Sequence, residues 1–215
     1  MGWRMRLPAF YPILDTPLVE SLGLGTEAAA EAILEGGALI LQLRHKGHFS
    51  RSVFEQAEKV ARLCRNGGAL FVIDDRPDLA TLLDCGCHVG QDDLPPEDAR
   101  TLLGPDRVLG YSTHNARQLV DARRQPVDYL AIGPIFETAS KERPDPVIGV
   151  AGLPALRKLT ARPLVAIGGI SRSNCQAVLD AGADSVAVIR DVFPEPCTYQ
   201  TLRSRVEEWL QLTNR

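Results

Sequence analysis

No long hydrophobic run occurs in this chain. Nothing approaches the ~20 apolar residues that cross a bilayer, and no early apolar stretch resembles a secretion signal. A cytoplasmic protein with no membrane partner is therefore expected. Cysteine is sparse and unpatterned. The five, Cys64, Cys85, Cys87, Cys175 and Cys197, are odd in number and scattered, and Cys85 and Cys87 have C-x-C rather than C-x-x-C spacing. That argues against a disulfide framework and for reduced thiols packed as small apolar groups. No His/Cys cluster has zinc spacing. An excess of positive charge is also missing. The net charge is −3 and the pI near 5.8, which argues against nucleic acid as the main partner. Finally, no linker or low-complexity segment divides the chain. The Pro-rich stretch at 143–147 is short and reads as part of a long loop.

What is present is a regular alternation. With 215 residues and 45% apolar content, one sizeable core can form. Strand-like runs rich in Val, Ile and Leu fall at Phe10–Leu14, Ala38–Leu43, Ala69–Ile73, Cys87–Val89, Val108–Tyr111, Tyr129–Ile132, Leu164–Ile167 and Ser185–Ile189. Near-continuous apolar runs of this kind suit strands buried on both faces. Amphipathic stretches separate them, at Thr26–Leu34, Arg51–Cys64, Pro77–Leu83, Pro96–Leu103, Ala116–Arg124, Leu153–Leu159, Arg172–Ala181 and Tyr199–Leu210. Eight β/α units in strict order predict an α/β protein of the (β/α)8 TIM barrel class, a single domain over residues 1–215. A doubly wound open sheet is the alternative. Residues 195–215 read as a closing helix with Val206, Trp209 and Leu210 inward.

A barrel of this class carries its chemistry on the loops after the strands. Alternation after the second strand puts Gln42, Arg44 and Lys46 on one face. The third and fourth strands end in acids, Asp74-Asp75 and Asp92-Asp93. The fifth ends in Ser112-Thr113-His114, and the sixth in a loop running through Thr138, Ser140 and Lys141. Gly168-Gly169 follows the seventh strand and Ile189-Arg190 the eighth, where barrels of this class often bind phosphate. A tight strand-to-helix turn is the plainer reading of the glycines. Arg44, Lys46 and Lys141 would bring three cations to one mouth, as a polyphosphate requires. Lys46 or Lys141 could instead form a Schiff base. Carboxylates beside a pyrophosphate site repel it unless a cation lies between, so Asp75 and Asp93 point to Mg²⁺. Asp78 and Asp92 read as solvent-facing or capping residues, and His88 as a residue packed in the barrel wall. His114 is either a general base or structural, and His45 and His48 receive no role.

Taken together and in order, QLRHK at 42–46, IDDRPDLA at 73–80, HVGQDDLP at 88–95, GYSTH at 110–114, GPIFETASK at 133–141, VAIGGI at 165–170 and VAVIRD at 186–191 resemble the thiamine-phosphate synthase family. The resemblance runs from about residue 10 to 192. It implies an enzyme that joins 4-amino-2-methyl-5-hydroxymethylpyrimidine diphosphate to hydroxyethylthiazole phosphate, releasing pyrophosphate. By the same resemblance Gln42 touches the pyrimidine. Arg44, Lys46, Ser112 and Lys141 hold pyrophosphate. Asp75 and Asp93 ligate Mg²⁺. Thr138, Ser140, Gly169, Ile189 and Arg190 bind the thiazole phosphate, with a backbone contact from Gly149.

The chain departs from the family pattern at four places. Asp74 stands where Asn is usual, His45 where Glu is usual, Ser140 where Thr is usual, and Ile189-Arg190 in place of Val-Ser or Ile-Ser. An ionised Asp74 cannot donate to a phosphate oxygen as an amide can. Asp74 is counted with the substrate-binding residues and is expected to help hold Mg²⁺ through water beside Asp75; the alternative is that it turns away and bonds the backbone. Thiazole tautomerase and a non-catalytic thiazole-phosphate binding barrel are the competing readings. Retention of Arg44, Lys46, Lys141 and both metal acids weighs against each. Oligomeric state is left open.

Overall fold

Strand residues of this protein are buried on both faces, and two separate apolar cores result. The computed structural model describes residues 6–138 and 145–214. Its strands are β1 (Phe10–Asp15), β2 (Ile40–Arg44), β3 (Leu70–Asp74), β4 (Gly86–Val89), β5 (Leu109–Thr113), β6 (Tyr129–Ile132), β7 (Leu164–Ile167) and β8 (Ser185–Val188). All pair in parallel, each with the next, and β8 returns to β1, closing the barrel. The open-sheet alternative is excluded.

Alternate residues along each strand divide between the two cores, as a period of two demands. Tyr11, Ile13, Ile40, Val72, Tyr129, Ala131, Val165 and Ala187 pack together inside the barrel. Phe10, Leu14, Leu41, Phe71, Ile73, Leu130 and Ala166 join the larger core with the helices. Register then sets which polar side chains meet. Asp15 lies opposite Arg44, and Asp74 opposite His88.

The helices are α1 (Thr16–Ser21), α2 (Thr26–Glu35), α3 (Arg51–Asn66), α4 (Pro77–Leu82), α5 (Pro96–Leu103), α6 (Ala116–Asp121), α7 (Leu153–Arg157), α8 (Cys175–Asp180) and α9 (Tyr199–Thr213). Helix α1 is absent from the sequence reading. Its signals are short: the Asp15 carboxylate caps it by accepting from Leu18 N at 3.2 Å, and Pro17 lies in its first turn. β2 begins two residues later than expected, because Ala38 N–H closes the end of α2 onto Ile33 O at 3.3 Å. α7 and α8 are shorter than the amphipathic stretches that predict them. Before α8, Asn174 Oδ1 accepts from Ser171 N at 2.8 Å and holds that segment as a turn. Cys64, Cys85, Cys87 and Cys175 are buried free thiols, and Cys197 is half-buried. Among the described residues, no helix is long and apolar enough to cross a membrane.

Helix α9 packs against α2 and against the outer face of β1. Thr198 and Thr201 form a reciprocal cap at its start. Trp209 is fully buried, stacks on Phe10 at 5.1 Å with 7° between planes, and directs its indole N–H at Asp191 O, 3.3 Å away. Replacing Trp209 with Ala should remove about 3–5 kcal/mol of stability. Urea unfolding measures this directly, and a loss under about 1 kcal/mol would show that α9 is not part of the folded core.

Candidate active site

The carboxyl ends of the strands open into one cavity of about 920 Å³. Gln42, Arg44, Lys46, Asp74, Asp75, Asp93, Ser112, Thr138, Gly169, Ile189 and Arg190 all line it. Residues from six strand ends and the β6 loop therefore meet, although they lie far apart in the chain.

Charge is concentrated on the β2–β4 side. Arg44 pairs with Asp15 on the neighbouring strand, and its Nε lies 3.7 Å from Asp74. Lys46 Nζ is 3.2 Å from Asp74 and also pairs with Asp75. Asp74 thus sits under both cations, with only 9% of its side chain exposed. Burial, and then the neighbouring Asp75 charge, push its carboxyl up to about 6, against the pull of Lys46 and Arg44. Lys46 is half-exposed at its tip. Burial would lower its pKa, but the Asp74 and Asp75 charges more than offset that, and the net shift is upward.

Asp75 adopts a left-handed backbone (φ 64°), which Asp tolerates better than most residues, and its N–H donates to His88 O at 2.8 Å. That turn brings its carboxylate within hydrogen-bonding reach of Asp93. Asp93 Oδ2 accepts from Gly90 N at 2.6 Å. Burial, followed by the Asp75 charge, raises the Asp93 carboxyl despite that amide. Two carboxylates in such proximity are stable as a charged pair only with a cation between them. The donors are all oxygen, and two carboxylates suffice for Mg²⁺ when phosphate and water oxygens complete its shell. Among the described residues, no group of three His, Cys, Asp or Glu side chains forms a closed metal cage. The residues present therefore fit a metal that arrives with its ligand.

The opposite wall is built from backbone. Gly168 (φ 102°) and Gly169 (φ 63°) follow β7. A Cβ on Gly168 would lie 2.6 Å from Pro134 Cα, and one on Gly169 2.5 Å from Glu137 O. The glycines thus admit the β6 loop, which bonds to β7 through Ile135 N to Ile167 O (2.9 Å) and Phe136 N to Gly168 O (3.0 Å). The tight-turn reading is the one these contacts show, and Gly168 and Gly169 also line the cavity. Arg190 is exposed in the 3₁₀ turn Arg190–Val192 at the cavity edge. Gly149 stands outside the cavity wall, with its N–H donating to Ile135 O at 3.1 Å. Ser140 and Lys141 lie outside the described residues.

His114 is anchored. Its Nδ1 donates to Gly133 O at 2.8 Å, and its backbone N–H donates to Gln118 Oε1 at 2.7 Å, so it fastens β5 to the start of the β6 loop. Asp78 is exposed and paired with Arg76, while Asp92 is exposed at the cavity rim. In the floor, the sequence reading includes Gln42 and Ser112 but not Tyr11 and Tyr129. Gln42 donates to Tyr11 OH, Tyr11 OH meets Tyr129 OH, and His88 bridges Tyr129 and Ser112. The available signal was polar residues at inward positions within strands, not after them. Asp15, at the end of β1, was missed for want of the partner that only the register supplies.

A closed parallel barrel whose strand ends meet in one charged cavity defines the (β/α)8 class, with the mouth of an enzyme that acts on small molecules. A family model described as thiamine monophosphate synthase matches residues 10–192. The chain belongs to that family. It is 47% identical over 216 residues to the thiamine-phosphate synthase of Koribacter versatilis, covering 99% of each chain. The thiamine phosphate pyrophosphorylase structure from Pyrococcus furiosus superimposes with a TM-score of 0.81 at 32% identity, covering 96% of this chain and 95% of that one. The structure of 2-keto-3-deoxy-6-phospho-gluconate aldolase from Zymomonas mobilis is also similar, with a TM-score of 0.69, 15% identity and coverage of 94% and 92%. That last likeness concerns the fold alone.

Because folding raises the Asp74 carboxyl from the usual range to about 6, the folded protein binds the extra proton between about pH 4 and 6. Stability is then greatest at the acid end and falls as pH rises through 6. With metal chelated, Asp74→Asn should be more stable than the parent at pH 7, and the gain should shrink as pH falls toward 4. Melting temperatures across that range test it. A gain independent of pH would contradict the buried, ionised Asp74.

Proposed function

We propose that the protein is a thiamine-phosphate synthase. It joins 4-amino-2-methyl-5-hydroxymethylpyrimidine diphosphate to hydroxyethylthiazole phosphate, and the products are thiamine phosphate and pyrophosphate. The observation that carries this reading is the convergence of Arg44 and Lys46 with Asp75 and Asp93 in one cavity. Thiazole phosphate alone needs no such pairing of cations and acids. A pyrophosphate that must leave with a bonding electron pair does.

The bond between the pyrimidine methylene carbon and the pyrophosphate oxygen breaks first. Its electron pair departs with pyrophosphate, and the thiazole nitrogen lone pair then forms the new C–N bond. Arg44, Lys46, Ser112 and Lys141 hold the leaving group, where negative charge develops. Arg44 and Lys46 are already fixed by Asp15, Asp74 and Asp75, so little reorganisation accompanies that step. Gln42 orients the pyrimidine from the cavity floor. Thr138, Ser140, Gly169, Ile189 and Arg190 place the thiazole phosphate, and Arg190 adds a charge where the family commonly has Ser. Asp75 and Asp93 would hold Mg²⁺, which when bound supplies charge neutralisation at the leaving group. Asp74 fixes the two cations, in keeping with its contacts. On this reading the protein acts in the cytoplasm on small molecules.

Incubating the protein with both precursors and Mg²⁺ should yield thiamine phosphate, detectable by chromatography. Absence of product, with folded protein, would overturn the reading. Asp93→Ala should lower turnover by at least ~10²-fold, as loss of several kcal/mol of charge stabilisation implies. Full activity in excess chelator would remove the metal assignment while leaving the reaction intact.

A further inference from the structure

Beneath the charged mouth, five side chains from five strands form an unbroken hydrogen-bonded path across the barrel. Gln42 Nε2 lies 3.1 Å from Tyr11 Oη, and Tyr11 Oη 2.9 Å from Tyr129 Oη. Tyr129 Oη is 2.9 Å from His88 Nδ1, and His88 Nε2 is 2.8 Å from Ser112 Oγ. Gln42, Tyr11, Tyr129 and His88 are all buried. The rings are packed as well: His88 stacks on Tyr129 at 5.5 Å, and Tyr11 meets Tyr129 edge-on at 6.1 Å. β5 passes this path at Gly110, where a Cβ would come within 2.1 Å of Tyr129 Cζ and 2.5 Å of His88 Nδ1. The glycine leaves room for the Tyr129–His88 contact.

Each phenol has one proton to give, and a neutral imidazole has one donor and one acceptor nitrogen. The path can therefore run in only two directions. In the first, Gln42 donates to Tyr11, Tyr11 to Tyr129, and Tyr129 to His88 Nδ1. His88 Nε2–H then donates to Ser112, whose own proton remains for the cavity. The second reverses every bond and needs the Gln42 oxygen, not its nitrogen, against Tyr11. With the amide nitrogen there, reversal would strand the Tyr11 proton, because among the described residues that hydroxyl has no partner except Gln42 and Tyr129. The same count excludes an imidazole protonated on both nitrogens. Burial raises the pKa of both phenols, so each keeps its proton. The Gln42 oxygen is not enclosed and has no partner among the described residues, so it opens onto the cavity.

We propose that Tyr11, Tyr129 and His88 act as a one-directional relay that locks the Gln42 amide with its oxygen toward the ligand, and so selects an amino-substituted pyrimidine over its oxo counterpart. The claim rests on the reaction proposed above for the identity of the ligand. An aminopyrimidine edge offers an exocyclic N–H donor beside a ring nitrogen acceptor. The locked amide offers the complement, an oxygen beside its second N–H. In the oxo form the donor and acceptor positions exchange. To match it, Gln42 would have to flip, and the flip would break or reverse every bond out to Ser112. Tyr11, Tyr129 and His88 are in this sense positioning residues.

Two readouts separate the relay from simple packing. In ligand-free, ¹⁵N-labelled protein, the two-bond ¹H–¹⁵N correlation spectrum should show His88 protonated on Nε2 alone. Tyr11→Phe should leave that tautomer unchanged, since Tyr129 still donates to Nδ1. It should nevertheless lower the ratio of kcat/KM for the amino over the oxo pyrimidine diphosphate by roughly tenfold or more. Tyr129→Phe should lower the ratio as well, since it cuts the path between Gln42 and His88. A wild-type His88 protonated on Nδ1, or undiminished discrimination in folded Tyr11→Phe, would overturn the relay. The tautomer needs no turnover to be read, so a protein inactive on both substrates would refute the reaction while the relay was still judged.

Discussion

Everything at the mouth of this barrel depends on one ammonium shared between two carboxylates. Lys46 bonds to Asp74 and Asp75 together, and Arg44, paired with Asp15, reaches Asp74 as well. Without those contacts the acids would repel one another and the cations would be free to swing into solvent. With them, an anion meets charges that are already in place. An ion pair of this kind adds little to stability, because burying the charges costs about as much as pairing them returns. Its worth lies in position. The raised Asp74 carboxyl records that tension: burial works against its charge, and the two cations oppose the effect without cancelling it.

The barrel makes this arrangement by register. Asp15 and Arg44 are partners because β1 and β2 align at that level. His88 is placed against Asp74 by the pairing of β3 with β4. Inward positions one layer deeper carry Tyr11, Gln42 and Tyr129, which floor the cavity with neutral polar groups. Charge lies at the rim, where solvent and ligand ions can reach it. The deeper layer carries hydroxyls, an amide and an imidazole, which can be satisfied by one another.

Much of this was legible in the sequence. Eight apolar runs alternating with amphipathic stretches predict the closed barrel, since doubly buried strands leave that signature. Arg44, Lys46, Asp75, Asp93 and Ser112 were identifiable because they lie at or just after strand ends, where such barrels keep their chemistry. What was not legible depended on pairing between distant segments. Asp15 reads as the last residue of a strand until register sets it beside Arg44. Tyr11 and Tyr129 are indistinguishable from core aromatics until their hydroxyls are seen to meet. Asp74 is expected at a metal through water, and register adds what the sequence does not show, its contacts with Lys46 and Arg44. Helix α1 escaped notice because six residues carry too little periodicity to register.

On the proposed reading, acids and cations at this mouth form one site that binds pyrophosphate more tightly with a metal ion. Calorimetric titration of pyrophosphate into the protein, with Mg²⁺ and with chelator, tests it most directly. The account predicts affinity at least about tenfold higher with Mg²⁺, since the Asp75 and Asp93 charges otherwise repel the anion. Equal affinity in the two conditions would mean that Arg44 and Lys46 hold the anion alone, and that the paired acids serve some other purpose.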